Sequence, residues 1–255
     1  MTTETGASTH ISGLRQSYDS GASTYDEERY HSPKGRMFTE SETSVLLSWL
    51  NLGPSKRVLD IPVGTGRFSP ALARTGAAVV GLDISTGMLK KAASKRPADG
   101  PARLHFTQGS GLSLPFADNT FDAVISFKFF HLIPNNLKRQ FVDEMARVLK
   151  PGCPMVLEFN SPFYGAVLAW LRYTFRKKTP GGMRMKCLFP DQVPQLFQGL
   201  QVKRMQGIQL PFSLALSAVL GRGAVDSLGS WLGATPGLRY LNYAIIIEVT
   251  KPGLG

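Results

Sequence analysis

The chain has little cysteine and no long apolar run, and each shortage excludes a class of protein. Its 255 residues include two cysteines, Cys153 and Cys187, which form no Cys-x-x-Cys pair and have no histidine cluster beside them. A disulfide framework and a metal site are therefore not expected. No segment reaches the roughly 18 consecutive apolar residues that cross a bilayer, and the polar first residues do not resemble a secretory signal. We therefore expect a cytoplasmic protein.

Acidic residues are also scarce relative to basic ones. The chain has 29 Lys and Arg against 18 Asp and Glu, a net charge of +11. Much of the excess lies between residues 161 and 210, where eight basic residues face one acid, Asp191. Such a segment attracts anionic membranes, acidic substrates or nucleic acid. A basic face that only improves solubility explains the same charge equally well.

Between residues 57 and 160, short apolar segments of strand length alternate with segments of helical periodicity. This alternation predicts an α/β fold with a mostly parallel sheet of seven strands, helices on both faces and a helical elaboration on the substrate side. We expect a flexible N-terminus over 1–24, a Rossmann-like core over 25–160, and a basic, aromatic-rich cap over 161–255 that includes the last two strands. The expected strands are 57–61, 77–83, 104–108, 121–126, 155–159, 200–210 and 241–250.

The turn after the first expected strand carries two glycines, Gly64 and Gly66, and a helix follows it. Glycines let the backbone approach a ligand closely, and a helix start offers free N–H groups to that ligand. The nicotinamide dinucleotide pattern needs a third glycine, where this chain has Ser69. Asp60 before the glycines would repel a pyrophosphate, whereas it suits the cationic end of S-adenosylmethionine. Asp83, at the end of the second strand, can accept hydrogen bonds from ribose.

Five segments in order resemble the motifs of class I S-adenosylmethionine-dependent methyltransferases, in particular the ubiquinone/menaquinone-biosynthesis-like (type 11) branch. They cover roughly residues 25 to 160 and comprise Val58–Phe68, Val80–Ser85 with Met88 and Leu89, Gln108–Ser110 with Leu114–Phe116, Phe121–Val124, and Arg147–Gly152. The resemblance implies a Rossmann-like methyltransferase that uses S-adenosylmethionine as cofactor.

The resemblance also implies roles for individual residues in cofactor binding. Those near the methionine part are Asp60, Pro62, Gly64, Gly66 and Arg67; Asp83 holds the ribose; Ile84 and Met88 pack on the adenine; Gly109, Ser110 and Gly111 lie at its edge; and Ser126 completes the set. Two positions depart from the family pattern. Pro62 stands where glycine is common, and Ser110 stands where an aspartate often holds the adenine amino group, so we expect modest cofactor affinity.

The catalytic base and the acceptor follow less directly from the sequence. His131, just beyond the fourth strand, is the candidate general base, and packing alone would equally explain it. Lys128, a charge in an apolar run, is expected at a solvated loop tip. The aromatic and basic residues after 160 favour a small, apolar acceptor such as a quinone, lipid or polyketide, with peripheral contact to an anionic membrane. Nucleic acid is not the expected partner. An RNA methyltransferase and a non-catalytic S-adenosylmethionine-binding protein remain the alternatives.

Overall fold

The strands occupy the segments that the apolar pattern predicted. The computed structural model describes residues 2–96, 103–163, 187, 189–210 and 213–253, and within these residues seven strands form one sheet. The strands are β1 (Arg57–Asp60), β2 (Ala78–Asp83), β3 (Leu104–Gln108), β4 (Ala123–Ser126), β5 (Pro154–Asn160), β6 (Gln201–Ile208) and β7 (Ala244–Thr250). Their order is β3-β2-β1-β4-β5-β7-β6. β1 pairs in parallel with β2 and β4, β2 pairs in parallel with β3, and β6 and β7 are antiparallel. The predicted seven-stranded, mostly parallel sheet is confirmed.

The described helices begin and end at recognisable signals. They are α1 (Thr2–Gly21), α2 (Tyr25–Arg29), α3 (Pro33–Trp49), α4 (Ser69–Ala73), α5 (Thr86–Ala93), α6 (Asn135–Val148), α7 (Val193–Leu196), α8 (Ser213–Leu220) and α9 (Arg222–Ala234). Ser32 caps α3 by accepting the Gly35 N–H at 3.0 Å, and Ser85 caps α5 by accepting the Met88 N–H at 3.1 Å. Among these helices, none combines the length and the apolar character needed to traverse a lipid bilayer.

The chain divides into two compact units. The first comprises Met1–Ser126, Gln140–Met155 and Gly253–Gly255, and the second comprises Phe127–Arg139 and Val156–Pro252. In the first unit the central strands β1, β2 and β4 are almost entirely buried. Their continuous apolar character is typical of parallel strands that are covered on both faces. These three buried strands form a fixed base for their carboxyl ends, where the candidate site lies.

The second unit has a core of its own. Every residue of β7 is buried. The ring of Phe159 lies 4.7 Å from that of Phe130 in a tilted arrangement and 6.1 Å from that of Phe197 in an edge-to-face arrangement, measured between centroids. Phe130 comes from the segment after β4, and Arg139 of the same segment donates a hydrogen bond to the Gln195 carbonyl at 3.2 Å. These contacts explain why 127–139 belongs with the later part of the chain, whereas we expected one boundary at residue 160.

The N-terminal segment makes tertiary contacts, and its expected flexibility over 1–24 stays a prediction. Residues 2–21 are helical, and the last turn of α1 is tied to the start of α5. The Asp19 carboxylate accepts hydrogen bonds from the Ser85 hydroxyl at 2.6 Å and from the Gly87 N–H at 2.9 Å. A polar composition does not reveal such tertiary partners. The helix expected over 163–175 lies almost entirely outside the described residues.

Candidate active site

A buried carboxylate lies where β1 ends. The order of the strands reverses between β1 and β4, and ligands of α/β sheets bind outside the carboxyl ends of strands at such a point. Asp60 is the last residue of β1, and its Oδ2 atom accepts a hydrogen bond from the Ser69 hydroxyl at 3.2 Å. Burial raises the pKa of Asp60 to about 8, although the Ser69 hydrogen bond and the charge of Arg67 oppose the increase. A carboxyl group in this state favours a cationic neighbour.

The turn after Asp60 depends on its two glycines. Gly64 and Gly66 have φ angles of +54° and +72°, in the left-handed region that glycine adopts without strain. A Cβ on Gly66 would lie 3.0 Å from the Cβ of Ala92 in α5, so this glycine is also needed for close packing. A Cβ on Gly64 would meet no atom of the described residues within 4 Å. Gly64 therefore presents bare backbone to open space, as a ligand-binding turn requires. Pro62, in a cis peptide with Ile61, is half-buried.

A second buried carboxylate, Asp83, ends β2. Its Oδ2 atom accepts the Gly64 N–H at 2.8 Å, and its Oδ1 atom accepts the Ser85 N–H at 2.9 Å. Burial raises the pKa of Asp83, and the hydrogen bonds from Ser85 and Gly64 oppose that increase. Each carboxylate oxygen has a further lone pair, so Asp83 can both shape the turn and accept hydrogen bonds from a ligand.

The N-terminal helices are fastened to this edge of the sheet by a buried acid. The Asp26 carboxylate accepts a hydrogen bond from the Thr65 hydroxyl at 2.6 Å, between the two glycines of the turn. Its other oxygen lies 2.6 Å from the ammonium of Lys95, just after α5. Asp26 therefore connects α2 to both the turn and α5. Sequence reasoning missed it, because its partners are 39 and 69 residues away along the chain.

Tyrosines from the same N-terminal segment lie close by. The rings of Tyr18 and Tyr25 meet edge-to-face at 5.9 Å, as do those of Tyr25 and Tyr30. Burial raises the pKa of Tyr18, and the nearby charges of Tyr25 and Asp83 raise it further, whereas Arg29 lowers it. The Asp83 carboxylate is thus within electrostatic range of an N-terminal aromatic cluster (Tyr18, Tyr25 and Tyr30).

Arg67 is held by residues that the sequence did not connect with it. Its guanidinium forms an ion pair with the fully buried Glu42 of α3. It also lies over the rings of Tyr30 and Phe68, at 4.6 and 4.2 Å from their centroids. These contacts fix Arg67 next to the turn and orient it toward α3. A role beside the methionine part of a cofactor stays a prediction.

The remaining predicted cofactor residues lie along the same edge. Gly109 follows β3 and donates its N–H to the Asp83 carbonyl at 3.0 Å, and the Ser110 hydroxyl accepts the Leu112 N–H at 3.2 Å. A Cβ on Gly111 would lie 2.3 Å from the Phe141 ring, so packing alone accounts for that glycine. Ile84 is half-buried and Met88 is fully buried.

Ser126 is an unsatisfied group at the carboxyl end of β4. Its hydroxyl is buried and has no hydrogen-bond partner within the part of the chain that the structure describes. The preceding residue, Ile125, pairs with Asp60 across the sheet. A buried hydroxyl without a partner is unfavourable by about 1–3 kcal/mol. Ser126 therefore has the capacity to bind a polar ligand group.

Comparison with protein families gives a match in the central part of the chain. Residues 58–152 match the family described as a methyltransferase domain. This segment is therefore similar to methyltransferase domains, in agreement with the class I resemblance of the sequence motifs. The matched segment begins in β1 and ends just after α6, so it contains Asp60, both glycines of the turn, Asp83 and Ser126. S-adenosylmethionine is the cofactor of this class.

The chain spans about half the length of the curated relatives that it matches. Demethylmenaquinone methyltransferase of Renibacterium salmoninarum is 44% identical over 114 residues, which are 44% of this chain and 45% of that protein. An uncharacterized protein of Mycobacterium tuberculosis is 32% identical over 130 residues, 50% of this chain and 46% of that protein. The similarity therefore extends over about half of each protein.

Solved structures resemble the chain over most of its length. Magnesium protoporphyrin IX methyltransferase of Synechocystis PCC 6803, determined with bound SAH, has a TM-score of 0.66 at 16% identity and covers 95% of this chain and 99% of its own. The [4+2]-cyclase SpnF has a TM-score of 0.65 at 19% identity and covers 94% and 95%. At such identities the likeness establishes the fold alone, and the fold is shared by proteins named for different reactions.

The methyltransferase domain fits its cofactor on the evidence of its own side chains. Two buried carboxyl groups with raised pKa values, Asp60 and Asp83, favour a positively charged neighbour and hydroxyl donors. The space beside Gly64 that a side chain would occupy contains no atom of the described residues. The Ser126 hydroxyl has no hydrogen-bond partner among those residues. These features match the cationic end and the ribose of S-adenosylmethionine. They suit a pyrophosphate less well, because a phosphate would add negative charge beside Asp60, whose ionised form burial already disfavours.

The second unit contains the predicted base and an unexpected ion pair. His131 is half-buried in the segment after β4. Lys128, three residues earlier, has a φ angle of +54°, and it is held by the buried Glu158 of β5. Glu158 accepts the Lys128 N–H at 2.7 Å and its ammonium at 2.9 Å, and the ammonium lies 5.3 Å from the centroid of the Tyr243 ring. The expectation of a solvated tip at Lys128 is therefore wrong. The charge of Lys128 is stabilised by the carboxylate of Glu158, which is 30 residues away along the chain but in direct contact with it.

Proposed function

We propose that this chain transfers the methyl group of S-adenosylmethionine to a small, lipophilic acceptor. The observation that carries the proposal is the buried Asp60 at the end of β1, with its raised pKa, next to a glycine turn that faces open space. When bound, the cofactor supplies an electrophilic methyl group on a positively charged sulfur. The protein then has to bind the cofactor and the acceptor, orient them toward each other and exclude water. These are the main contributions of an enzyme to such a transfer.

The proposed roles of the residues follow their positions along the sheet edge. Asp60 balances the cationic end of the cofactor, and the turn at Gly64 and Gly66 lets the backbone approach it. Asp83 accepts hydrogen bonds from the ribose hydroxyls, for which each of its oxygens keeps a lone pair. Ser126 binds a polar group of the cofactor. The adenine lies along a set of residues from β2, α5 and the segment after β3: Ile84, Met88, Gly109, Ser110 and Gly111.

A quinone, a lipid or a polyketide is the proposed class of acceptor. The demethylmenaquinone methyltransferase named above, 44% identical over 114 residues, supports an aromatic, apolar acceptor. The aromatic residues after 160 support the same class. We propose His131 as the general base for an oxygen or carbon acceptor, because such acceptors lose a proton during methylation.

An anionic membrane is the proposed source of this acceptor. The second unit contains fourteen Lys and Arg against four Asp and Glu, a net charge of +10, out of +11 for the whole chain. Such a concentration of charge raises the rate of encounter with anionic surfaces.

Calorimetric titration tests the cofactor site. We expect the full-length protein to bind S-adenosylmethionine and its demethylated product and to ignore NAD. Asp83→Asn should weaken binding about tenfold or more, because a charged acceptor becomes neutral. Asp118→Asn is the matched control, because Asp118 is an exposed acid of the same domain that pairs with Arg147. Uptake of NAD in place of the sulfonium nucleoside would overturn the proposal.

A transfer assay tests the reaction and its alternatives together. Purified protein is incubated with methyl-labelled cofactor and a cell lysate, and the label is then separated into organic extract, RNA and protein. We expect the label in the organic extract, and His131→Ala should reduce it strongly without changing cofactor binding. Label in RNA would favour the RNA methyltransferase alternative. Tight cofactor binding with no label in any fraction would favour the non-catalytic alternative.

A further inference from the structure

The connection between the last two strands is far longer than their pairing requires. β6 ends at Ile208 and β7 begins at Ala244, so 35 residues join two antiparallel neighbours. Antiparallel strands are commonly joined by about 2–5 residues. Helices α8 and α9 lie in this connection and contact each other. The connection is therefore an elaboration beyond what the pairing of β6 and β7 requires.

Helix α9 packs on β6 through a narrow stripe. Val225, Gly229 and Gly233, spaced four residues apart, are its buried positions. A Cβ on Gly233 would lie 2.0 Å from the Gly207 carbonyl oxygen of β6, so the helix backbone touches the strand. Because so small a stripe makes the contact, the larger side chains of α9 are left on other faces of the helix.

Those larger side chains are apolar and exposed. Val219 and Leu220 at the end of α8 and Leu228 and Trp231 of α9 are all open to solvent, with exposed fractions of 82% for Val219 and 61% for Trp231. Five of the nine large apolar side chains that are exposed among the described residues fall between 219 and 238. Single exposed apolar residues are ordinary, but five within the 20 residues from 219 to 238 point to an interaction surface. We call Val219, Leu220, Leu228 and Trp231 the α8–α9 tip.

The net charge of the second unit indicates which kind of partner the α8–α9 tip binds. A net charge of +10 on the second unit attracts an anionic surface and repels a second copy of the same chain. Aliphatic side chains such as Val219 and Leu220 offer no stacking surface to nucleic acid bases, whereas they enter the acyl boundary of a bilayer readily. Tryptophan favours the membrane interface, because its ring is apolar and its N–H is polar.

We propose that the α8–α9 tip inserts into the interface of an anionic lipid bilayer and docks the second unit there. This inference builds on the proposed lipophilic acceptor, which a bilayer would contain. Docking itself needs neither cofactor nor acceptor, so a failure to bind membranes would leave the proposed methyl transfer in place.

Vesicle sedimentation with the full-length protein tests the proposal. One set of vesicles contains phosphatidylcholine with phosphatidylglycerol, and the other contains phosphatidylcholine alone. At low salt we expect binding to the anionic vesicles and little to the neutral ones, with a decrease as salt screens the charges. Trp231→Ala and the double variant Val219→Ser/Leu220→Ser should each weaken binding about tenfold or more. Quenching of tryptophan fluorescence by brominated lipid should be seen for the wild type and largely lost in Trp231→Phe.

A matched pair of leucines separates insertion from a general loss of apolar surface. Leu228 in the tip and Leu47 in α3 have nearly the same exposed fraction, 42% and 41%. Leu228→Ser should weaken vesicle binding, and Leu47→Ser should not, while circular dichroism confirms that both variants stay folded.

Three outcomes would overturn the proposal. The first is no binding of the wild type to anionic vesicles at low salt. The second is tip variants that bind as well as the wild type, because charge alone would then explain the binding. The third is a dimer in light scattering that the tip variants convert to a monomer, which would assign the tip to self-association.

Discussion

Replacing Asp60 with asparagine should stabilise the cofactor-free protein, and the gain should grow with pH. Burial raises the pKa of Asp60 from 3.8 to about 8 in the folded state. A carboxyl group with a raised folded pKa contributes its full stability below the unfolded pKa and loses that contribution as pH rises toward the folded pKa. Folding of the wild type therefore becomes less favourable between about pH 4 and pH 8. Asparagine has nearly the same shape, accepts the Ser69 hydrogen bond and does not titrate.

The magnitude follows from the size of the pKa shift. Each pKa unit corresponds to about 1.4 kcal/mol, so the full shift sets an upper limit of about 6 kcal/mol above pH 8. The corresponding limit for the change between about pH 5 and pH 8 is about 4 kcal/mol. Relaxation and water penetration reduce such penalties in real proteins. We therefore expect the advantage of Asp60→Asn to increase by about 2 kcal/mol over this interval.

Urea unfolding of the two proteins at several pH values measures this difference. A gap in unfolding free energy that is the same at pH 5 and pH 8 would refute the reasoning, because the asparagine substitution would then remove no titrating group with a raised pKa. Calorimetry gives an independent check. Cofactor binding to the wild type near pH 7 should release a proton, seen as a heat that depends on the buffer, and binding to Asp60→Asn should not. Asp60→Asn should also bind the cofactor at least about tenfold more weakly.

Further predictions concern the cofactor site and the packing of each unit. Ser110→Asp should tighten cofactor binding in calorimetry, because a charged acceptor replaces a hydroxyl; unchanged binding would contradict the placement of Ser110 at the adenine edge. Lys128→Ala should destabilise the protein by about 3 kcal/mol in urea unfolding, because Glu158 loses the cation that compensates its burial. A loss below about 1 kcal/mol would mean that solvent already compensates Glu158. Gly233→Ala should lower the melting temperature, because its Cβ has no room beside β6, whereas Gly223→Ala in the same helix meets no atom within 4 Å and should be neutral or stabilising. Equal effects of the two glycine substitutions would contradict the close contact of α9 with β6.

The strands and the glycine turn could be predicted because their signals are local. Buried parallel strands are short, continuous apolar runs, and the ends of β1 and β2 follow from Asp60 and Asp83, the first polar residues after such runs. The turn between β1 and α4 is legible because left-handed backbone favours glycine, and Gly64 and Gly66 both have positive φ angles. No distant part of the chain is needed to explain these features.

The polar supports of the site could not be predicted, because each depends on a partner far along the chain. Asp19 and Asp26 read as ordinary acids of a polar N-terminus, yet Asp19 caps α5 together with Ser85, and Asp26 holds Thr65. Glu42 reads as one charge of an amphipathic helix, yet it is fully buried against Arg67. Composition predicted a flexible segment over 1–24, which includes Asp19 but neither Asp26 nor Glu42. None of the three contacts could be predicted, because a sequence pattern contains no information on which surface a helix meets.

The amino-acid sequence alone determined the alternation of strands and helices, the glycine turn and the acids at the strand ends. Neighbouring residues set the local backbone conformation and the spacing of apolar residues, so these features need no distant part of the chain. Only the tertiary structure decided the rest. The raised pKa of Asp60 arises from its burial in the folded protein. The ion pairs of Arg67 and Lys128 are formed with Glu42 and Glu158, which are 25 and 30 residues away along the chain. The exposure of Val219 and Trp231 likewise depends on the narrow glycine stripe that holds α9 against β6. Burial, charge pairing and exposure are properties of the assembled chain.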